Sequence, residues 1–165
     1  MMRSLLLLLL CLVVIPEARA DAALSVRFVA PERYTDAGNR YGSGPTLQAT
    51  LGEIERILRD LGRRGLAANE ALRIEVLDID LAGQMLPSPG TGQFVRVVSD
   101  VTPPRFRLRY GLTQGGRTVL SAEEAVSDLT FLMRARPGQG AFVYERDLLR
   151  SWFEARIVRR QPPPA

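Results

Sequence analysis

The sequence predicts an α+β domain, in which helices pack on a mixed sheet of about five strands in the order βαββββαα. Three observations lead to this fold class. An alternating segment, a segment of helical periodicity and a second alternating segment open the chain, as in a βαβ unit. Further alternating segments then follow one another without a helix between them, which is typical of a meander. Two amphipathic helices each present an apolar stripe that needs a partner surface.

The opening βαβ unit begins with a strand predicted over residues 24–30 and ended by Pro31. A polar, glycine-containing loop follows. The first helix is predicted from Pro45, a favoured residue in a first helical turn, to about Arg64, with Gly65 as its stop. Its apolar face consists of Leu47, Leu51, Ile54, Leu58 and Leu61.

The second predicted strand changes its alternation halfway along. Leu72, Ile74 and Val76 share one face, but the apolar residues take the opposite parity from Leu77 onward. A shift of one residue exchanges the two faces of a strand. The sequence therefore predicts either a bulge near Leu77 or a strand end that is buried on both sides.

The second half of the chain predicts three more strands and two helices. A loop over residues 83–92 precedes a third strand near residues 95–101, and Pro103-Pro104 prevents regular pairing after it. The fourth and fifth strands form a hairpin that turns at residues 114–116, and the last helix spans about residues 144–160. The short helix before it carries Leu129, Leu132 and Met133 with Ser127 or Asp128 as its cap, and the last helix carries Leu148, Leu149, Trp152, Phe153 and Ile157.

Residues 1–20 are predicted to be a cleavable secretory signal. Arg3 supplies a positive charge, residues 5–15 form an apolar run, and Ala18-Arg19-Ala20 has the small residues that a signal peptidase reads. The run is too short for a permanent membrane anchor, which needs about 20 residues. The alternative is lipidation at Cys11, but a leucine precedes this cysteine where a small residue is wanted.

Cleavage after residue 20 leaves a single α+β domain over residues 21–160 and a proline-rich tail over residues 161–165 that we expect to be disordered. No later stretch is apolar enough to span a membrane. We therefore expect a soluble periplasmic protein.

The composition excludes several classes of catalytic and metal-binding site. The sequence has no histidine, and its single cysteine lies within the predicted signal. We therefore expect no disulfide, no thiolate nucleophile, no Ser-His-Asp triad and no zinc, copper or haem site. A metal would have to be a hard ion such as calcium, held by carboxylates. We expect no cofactor, and the balance favours a protein without catalytic activity.

The formal net charge is +4, and all 22 basic residues are arginine. Arginine suits an anion-binding surface because its guanidinium group pairs with phosphate and carboxylate. The complete loss of lysine, even where no special geometry is needed, instead favours a general preference of the genome for arginine. Nucleic acid is not expected as a partner of an exported protein.

Four aspartates are candidate ligands or catalytic groups. Asp78 and Asp80 lie on one side of a strand end with their Cα atoms about 7 Å apart, and Asp100 or Asp128 would join them. Such a set would hold calcium or act as an acid–base pair. The interpretation that we favour is turn chemistry, in which these side chains cap backbone groups of loops or of a helix.

A basic stripe on the fourth strand consists of Arg105, Arg107 and Arg109. It would bind an anionic envelope polymer or lipid headgroups. We favour the alternative that the stripe is the solvated face of a half-buried strand, with Glu123 and Glu124 on the neighbouring strand as its partners.

Short motifs along the whole mature chain match a pattern of exported bacterial proteins. They are Val26-Arg27-Phe28, Pro31 to Asp36, Asp78 to Gly83, Arg96 to Asp100, Pro103-Pro104-Arg105, Ser127-Asp128-Leu129 and Trp152-Phe153. Through them the chain resembles the bacterial exported family known as domain of unknown function 3016. The resemblance implies a periplasmic location, but it supplies no activity, substrate or catalytic residue.

Two functions are compatible with these observations. We favour a non-catalytic module that binds an envelope protein or an anionic envelope component. The alternative is a carboxylate-dependent hydrolase or a calcium-binding protein that uses Asp78 and Asp80.

Overall fold

The computed structural model describes residues 23–39, 44–134 and 140–163. The predicted signal at residues 1–20 and the last two residues of the predicted tail lie outside the described residues. Within the described ranges, no helix combines the length and the apolar character needed to cross a membrane.

A four-stranded mixed sheet organises the fold, with its strands in the order β1-β2-β5-β6. β1 (Ala23–Phe28) pairs parallel to β2 (Glu70–Asp80), as expected for two strands joined through a helix. β5 (Arg105–Gln114) and β6 (Arg117–Ser127) add an antiparallel hairpin to the other side of β2. The α+β class and the opening βαβ unit are confirmed.

The third predicted strand lies outside this sheet. It forms β4 (Phe94–Val97), which pairs only with β3 (Gln84–Pro87) in a separate two-stranded sheet. The prediction of a loop over residues 83–92 missed β3, because the prolines and glycines around this short strand dominate the pattern. The main sheet accordingly has four strands, and Pro103-Pro104 separates β4 from β5 as expected.

β2 contains the predicted bulge. Its pairing with β5 shifts register between Val76 and Asp78, so Leu77 is the extra residue. The chain that leaves β1 returns to the sheet just beyond this point. The Asp36 amide donates to the Ile79 carbonyl at 2.9 Å, and the Asp36 carbonyl accepts from the amide of the second residue after Ile79 at 3.1 Å. The bulge therefore lies beside the loop that joins β1 to α1.

α1 (Leu47–Gly65) connects β1 to β2 and packs on the sheet. The hydroxyl of Thr46 accepts a hydrogen bond from the Ala49 amide at 3.1 Å and caps the helix, which therefore starts two residues after Pro45. The buried residues of α1 are Thr50, Ile54, Ile57, Leu58 and Gly62.

The short predicted helix is present but buries a different side chain. α2 spans Phe131–Arg134, and Phe131 is its only buried residue. Leu129 and Met133 are 79% and 87% exposed, and Leu132 is also exposed. A helix of four residues has about one turn, so it offers one inward position rather than a stripe.

α3 (Val143–Phe153) continues as a π-helical turn over Glu154–Val158. Together they replace the single helix that was predicted over residues 144–160. The apolar stripe is buried as predicted, and α1 and α3 cover the same face of the sheet. The stripe consists of Leu148, Leu149, Trp152, Phe153 and Ile157.

Candidate ligand-binding site

Asp78 is held by the loop that follows β1. One carboxylate oxygen accepts a hydrogen bond from the Thr35 amide and the other accepts from the Thr35 hydroxyl, each at 2.7 Å. Both oxygens therefore fix a backbone turn, which is the role that turn chemistry predicts.

Asp80 forms an ion pair with Arg105, with 3.2 Å between Nη2 and Oδ2. Burial raises the pKa of Asp80, Arg105 opposes this effect, and the nearby carboxylates of Asp36 and Asp78 add to it. In the part of the chain that the structure describes, no group of three or more acidic side chains is arranged to hold a metal ion.

The other two candidate aspartates occupy turns. The Oδ1 atom of Asp128 accepts from the amide and the hydroxyl of Thr130, at 2.8 and 2.7 Å, just before α2. Asp100 is exposed in a turn that the Thr102 amide closes by donating to the Ser99 carbonyl at 3.1 Å. Asp128 thus closes a local turn directly before α2, whereas the sequence predicted that it caps the helix itself.

The arginine stripe lies on the exposed face of β5, and each of its members has an acidic partner. Arg105 pairs with Asp80, Arg107 pairs with Glu123 at 3.7 Å, and Arg109 pairs with Glu75 at 2.9 Å and Glu123 at 2.8 Å. These cross-strand pairs are what a solvated sheet face requires. Binding of an anionic envelope component by this stripe stays a prediction.

Glu124 faces the core, which corrects the expectation that it pairs with the stripe. Consecutive residues of a strand point to opposite faces, so only one of two adjacent glutamates can face Arg109. The Oε1 atom of Glu124 accepts from the Tyr110 hydroxyl at 2.6 Å, from the Trp152 indole at 3.0 Å and from Arg156 at 3.0 Å. Burial raises the pKa of Tyr110, and its bond to Glu124 raises it further.

A cavity of about 460 Å³ lies between the start of α3 and the segments that flank the β3–β4 hairpin. This volume falls within the usual range of small-molecule sites, which is roughly 300–1,000 Å³. Arg96 and Glu145 are the charged residues in its lining. Its apolar wall includes Pro45, Leu81, Val98, Phe142 and Val143.

Arg96 is the polar centre of this region. Its guanidinium group binds the Asp36 carboxylate through two hydrogen bonds, at 2.8 and 3.2 Å. The Nη1 atom also donates to the carbonyls of Ala82 and Gly83, both at 3.3 Å. The side chains of the pair are only 19% and 22% exposed. Asp36 neutralises Arg96, so the arginine contributes polarity to the cavity without a net positive charge.

Gly83 makes this arrangement possible. Its φ is +84°, and a Cβ atom would lie 2.6 Å from the Val97 carbonyl oxygen. Only glycine tolerates both conditions. The turn after β2 can therefore approach β4 closely and place its carbonyls within reach of Arg96.

Glu145 lies in the first turn of α3 and is only 3% exposed. Its Oε1 atom accepts a hydrogen bond from the Ala82 amide at 2.8 Å. Burial raises the pKa of Glu145, the Ala82 bond and the charge of Arg96 oppose this, and Asp36 adds to it. A carboxyl that retains its proton can donate a hydrogen bond.

The aromatic wall of the cavity rests on an unusual backbone conformation. Phe142, the residue before α3, has a φ of 62°, in the left-handed region that non-glycine residues rarely occupy. Its carbonyl accepts from the Arg146 amide at 3.0 Å, which holds this conformation at the helix start. Strain of this kind persists where the surrounding structure fixes it, and it is frequent at ligand sites.

Sequence patterns did not mark Asp36, Arg96 or Glu145 as site residues. Asp36, Ala82-Gly83 and Arg96 belong to motifs that carry the family resemblance. The sequence therefore marked these segments, but it did not show that their residues lie close together in the fold. Glu145 had no signal, because an acidic residue in a first helical turn is ordinarily exposed and interacts with the helix dipole.

A family match covers residues 22–155, and its description is "Protein of unknown function (DUF3016)". The matched region contains Asp36, Arg96 and Glu145 and confirms the family suggested by the short motifs. No match to this chain was found among curated proteins or among solved structures. The match extends over most of the sequence, and the chain therefore belongs to the DUF3016 family of proteins of unknown function.

Proposed function

We propose that this protein is a non-catalytic binding protein of the cell envelope, and that it holds a small molecule in the cavity beside Arg96 and Glu145. The observation that carries the proposal is the cavity itself. Mostly apolar walls with a few converging polar groups are the usual construction of a ligand site.

The state of the polar groups supports binding rather than chemistry. Arg96 is occupied by Asp36, and Glu145 accepts a bond from the protein backbone. Asp78 is likewise engaged by Thr35, and Asp80 by Arg105. We therefore assign Arg96 and Glu145 a role in orienting a ligand. The carboxylate-dependent hydrolase stays a prediction with no specific observation in its favour.

The envelope location of this proposal rests on the sequence. The predicted signal directs export, and the family resemblance implies the periplasm. In the periplasm, the cavity would bind either an envelope metabolite or an apolar part of a larger envelope component.

The test uses N-phenyl-1-naphthylamine, an uncharged dye that fluoresces in apolar sites. We expect a saturable rise in fluorescence with the protein over residues 21–165. Ala141 is exposed and lies in the cavity lining, so Ala141→Trp narrows the opening without entering the core. We expect this variant to weaken the affinity by at least about tenfold.

Ala125→Trp provides the matched control, because Ala125 is exposed on β6, away from the cavity lining. It should bind the dye as the wild type does. The proposed site would be overturned if the wild type showed no saturable dye binding, or if both variants lost dye affinity to the same extent.

A further inference from the structure

The charges around the cavity balance one another. Arg96 is the only arginine in its described lining, and Asp36 neutralises it through two hydrogen bonds. On α3, the neighbouring Arg146 is directed to Glu53 of α1, with 2.8 Å between Nη2 and Oε1. The cavity therefore offers an incoming anion no uncompensated positive charge within its described lining.

We infer that the cavity selects an uncharged, largely apolar molecule, and that it rejects anions of the same shape. This inference rests on the proposed function, since it names the class of ligand for that site.

Desolvation explains the rejection of anions. An anion that leaves water for an apolar cavity loses its hydration and needs a cation or several donors in return. Asp36 compensates the charge of the Arg96 guanidinium group, and the Nη1 atom also donates to two carbonyls. The Nε atom has no hydrogen-bond partner among the described residues, but it is buried within the protein. Glu145 supplies no positive charge in either protonation state, and its carboxylate form would repel the anion.

Glu145 offers an incoming anion no positive partner. Its Oε1 atom is occupied by the Ala82 amide, and burial raises its pKa. The charged groups that act on Glu145 are Arg96 on β4, which lowers its pKa, and Asp36 in the loop after β1, which raises it.

The experiment compares two dyes with the same ring system. N-phenyl-1-naphthylamine is uncharged, and 8-anilino-1-naphthalenesulfonate differs from it by one sulfonate. We expect the uncharged dye to bind the wild type at least about tenfold more tightly at pH 7. If the fluorescence increase of both dyes is lost in Ala141→Trp, both dyes bind in the cavity.

Asp36→Asn tests the cause of the selectivity. It keeps the shape of the side chain but leaves the charge of Arg96 uncompensated, so the affinity for the sulfonate should rise by about tenfold while that for the uncharged dye changes little. The double variant Asp36→Asn/Arg96→Gln is neutral again and should regain the wild-type preference. Circular dichroism checks that each variant is folded.

The outcomes separate the two proposals. Equal binding of both dyes to the wild type would overturn the charge selection and leave the cavity as a binding site. Absence of binding by either dye would overturn both. If Asp36→Asn does not fold, the wild-type preference decides the inference, and a sulfonate preference contradicts it.

Discussion

Two glutamates beside arginines show how burial and pairing compete at single residues. A hydrogen bond from Arg56 lowers the pKa of Glu53, and this outweighs the opposing effect of burial. At Glu145 burial dominates, so the pKa rises although Arg96 is near. The difference arises first from burial, since Glu145 is only 3% exposed and the Glu53 side chain is 21% exposed. In addition, Arg96 is bound to Asp36, whereas Arg56 donates two hydrogen bonds to Glu53.

Glu145→Gln is expected to change how stability depends on pH. In the folded protein, the Glu145 carboxyl keeps its proton at pH values above its ordinary pKa of 4.5. The stability of the wild type therefore falls as pH rises from 4.5 through the raised pKa of the folded state. Glutamine keeps the acceptor for the Ala82 amide and does not ionise. Urea denaturation between pH 4 and pH 8 should show that the variant loses this decline and is at least as stable as the wild type at pH 8.

Glu53→Gln is the control of opposite sign. The pKa of Glu53 is lower in the folded protein than its ordinary value. Its contribution to the free energy of unfolding is therefore present at pH values above the ordinary pKa and is lost as pH falls through the folded pKa. This variant should therefore lose stability at neutral pH rather than gain it. A Glu145→Gln protein with the same pH profile as the wild type would contradict the assignment of a raised pKa.

Asp78→Ala should destabilise the protein without affecting dye binding. The variant loses two hydrogen bonds to Thr35, and loss of such a cap costs about 0.5–2 kcal/mol. Asp100→Ala is the matched control in an exposed turn, where a change within about 0.5 kcal/mol is expected. Thermal and urea unfolding provide the comparison. Loss of dye binding with unchanged stability would instead make Asp78 a ligand.

At the scale of elements, the space around α1 differs between positions along the helix. A Cβ atom on Gly52 would have no neighbour within 4 Å, whereas one on Gly65 would lie 2.6 Å from Cε1 of Phe153. The first glycine lies on the solvent side of the helix, and the second lies where α1 meets the end of α3. The identity of the residue alone does not distinguish them.

Alanine at these two positions should change stability in opposite directions. Gly52→Ala should stabilise by about 0.5–1 kcal/mol, because alanine loses less backbone entropy in a helix. Gly65→Ala should destabilise by about 1–3 kcal/mol, because the buried ring of Phe153 must move. Urea denaturation of both variants measures the difference. Equal effects would show that α1 and α3 do not pack as described.

At the scale of the whole molecule, helices cover one face of the sheet and charged side chains occupy the other. On the open face a chain of ion pairs crosses all four strands, in the order Arg27, Glu75, Arg109, Glu123 and Arg107. Exposed pairs of this kind contribute about 0–1 kcal/mol each. Their arrangement keeps the face solvated, while the cavity forms on the side that carries α3.

The predicted signal leads to a prediction about the amino terminus of the protein. When the full sequence is expressed in bacteria, we expect the protein in the periplasmic fraction to begin at Asp21, as cleavage after Ala20 would require. Intact-mass measurement of that fraction checks the terminus. Retention of Met1, or a lipid on Cys11, would contradict cleavage at this position.

Local patterns were sufficient for the long elements. The alternation of Phe106, Leu108 and Tyr110 with arginines predicted β5, and the parity change at Leu77 predicted the bulge, because both depend on neighbouring residues. The hairpin of β3 and β4 was only half predicted, since short strands with proline and glycine carry a weak signal.

The sequence by itself determined the α+β class, the bulge, the family and the lack of histidine and of any cysteine after residue 20. These follow from composition and from periodicities that a few adjacent residues define. Only the tertiary structure decided that Arg96 and Glu145 line one cavity and that Asp36 pairs with Arg96 beside it. Asp36 and Arg96 are 60 residues apart in the sequence, so local patterns could not reveal their contact. Burial and pairing of charges depend on such long-range contacts, so neither the pKa of Glu145 nor the neutrality of Arg96 could be obtained from local sequence.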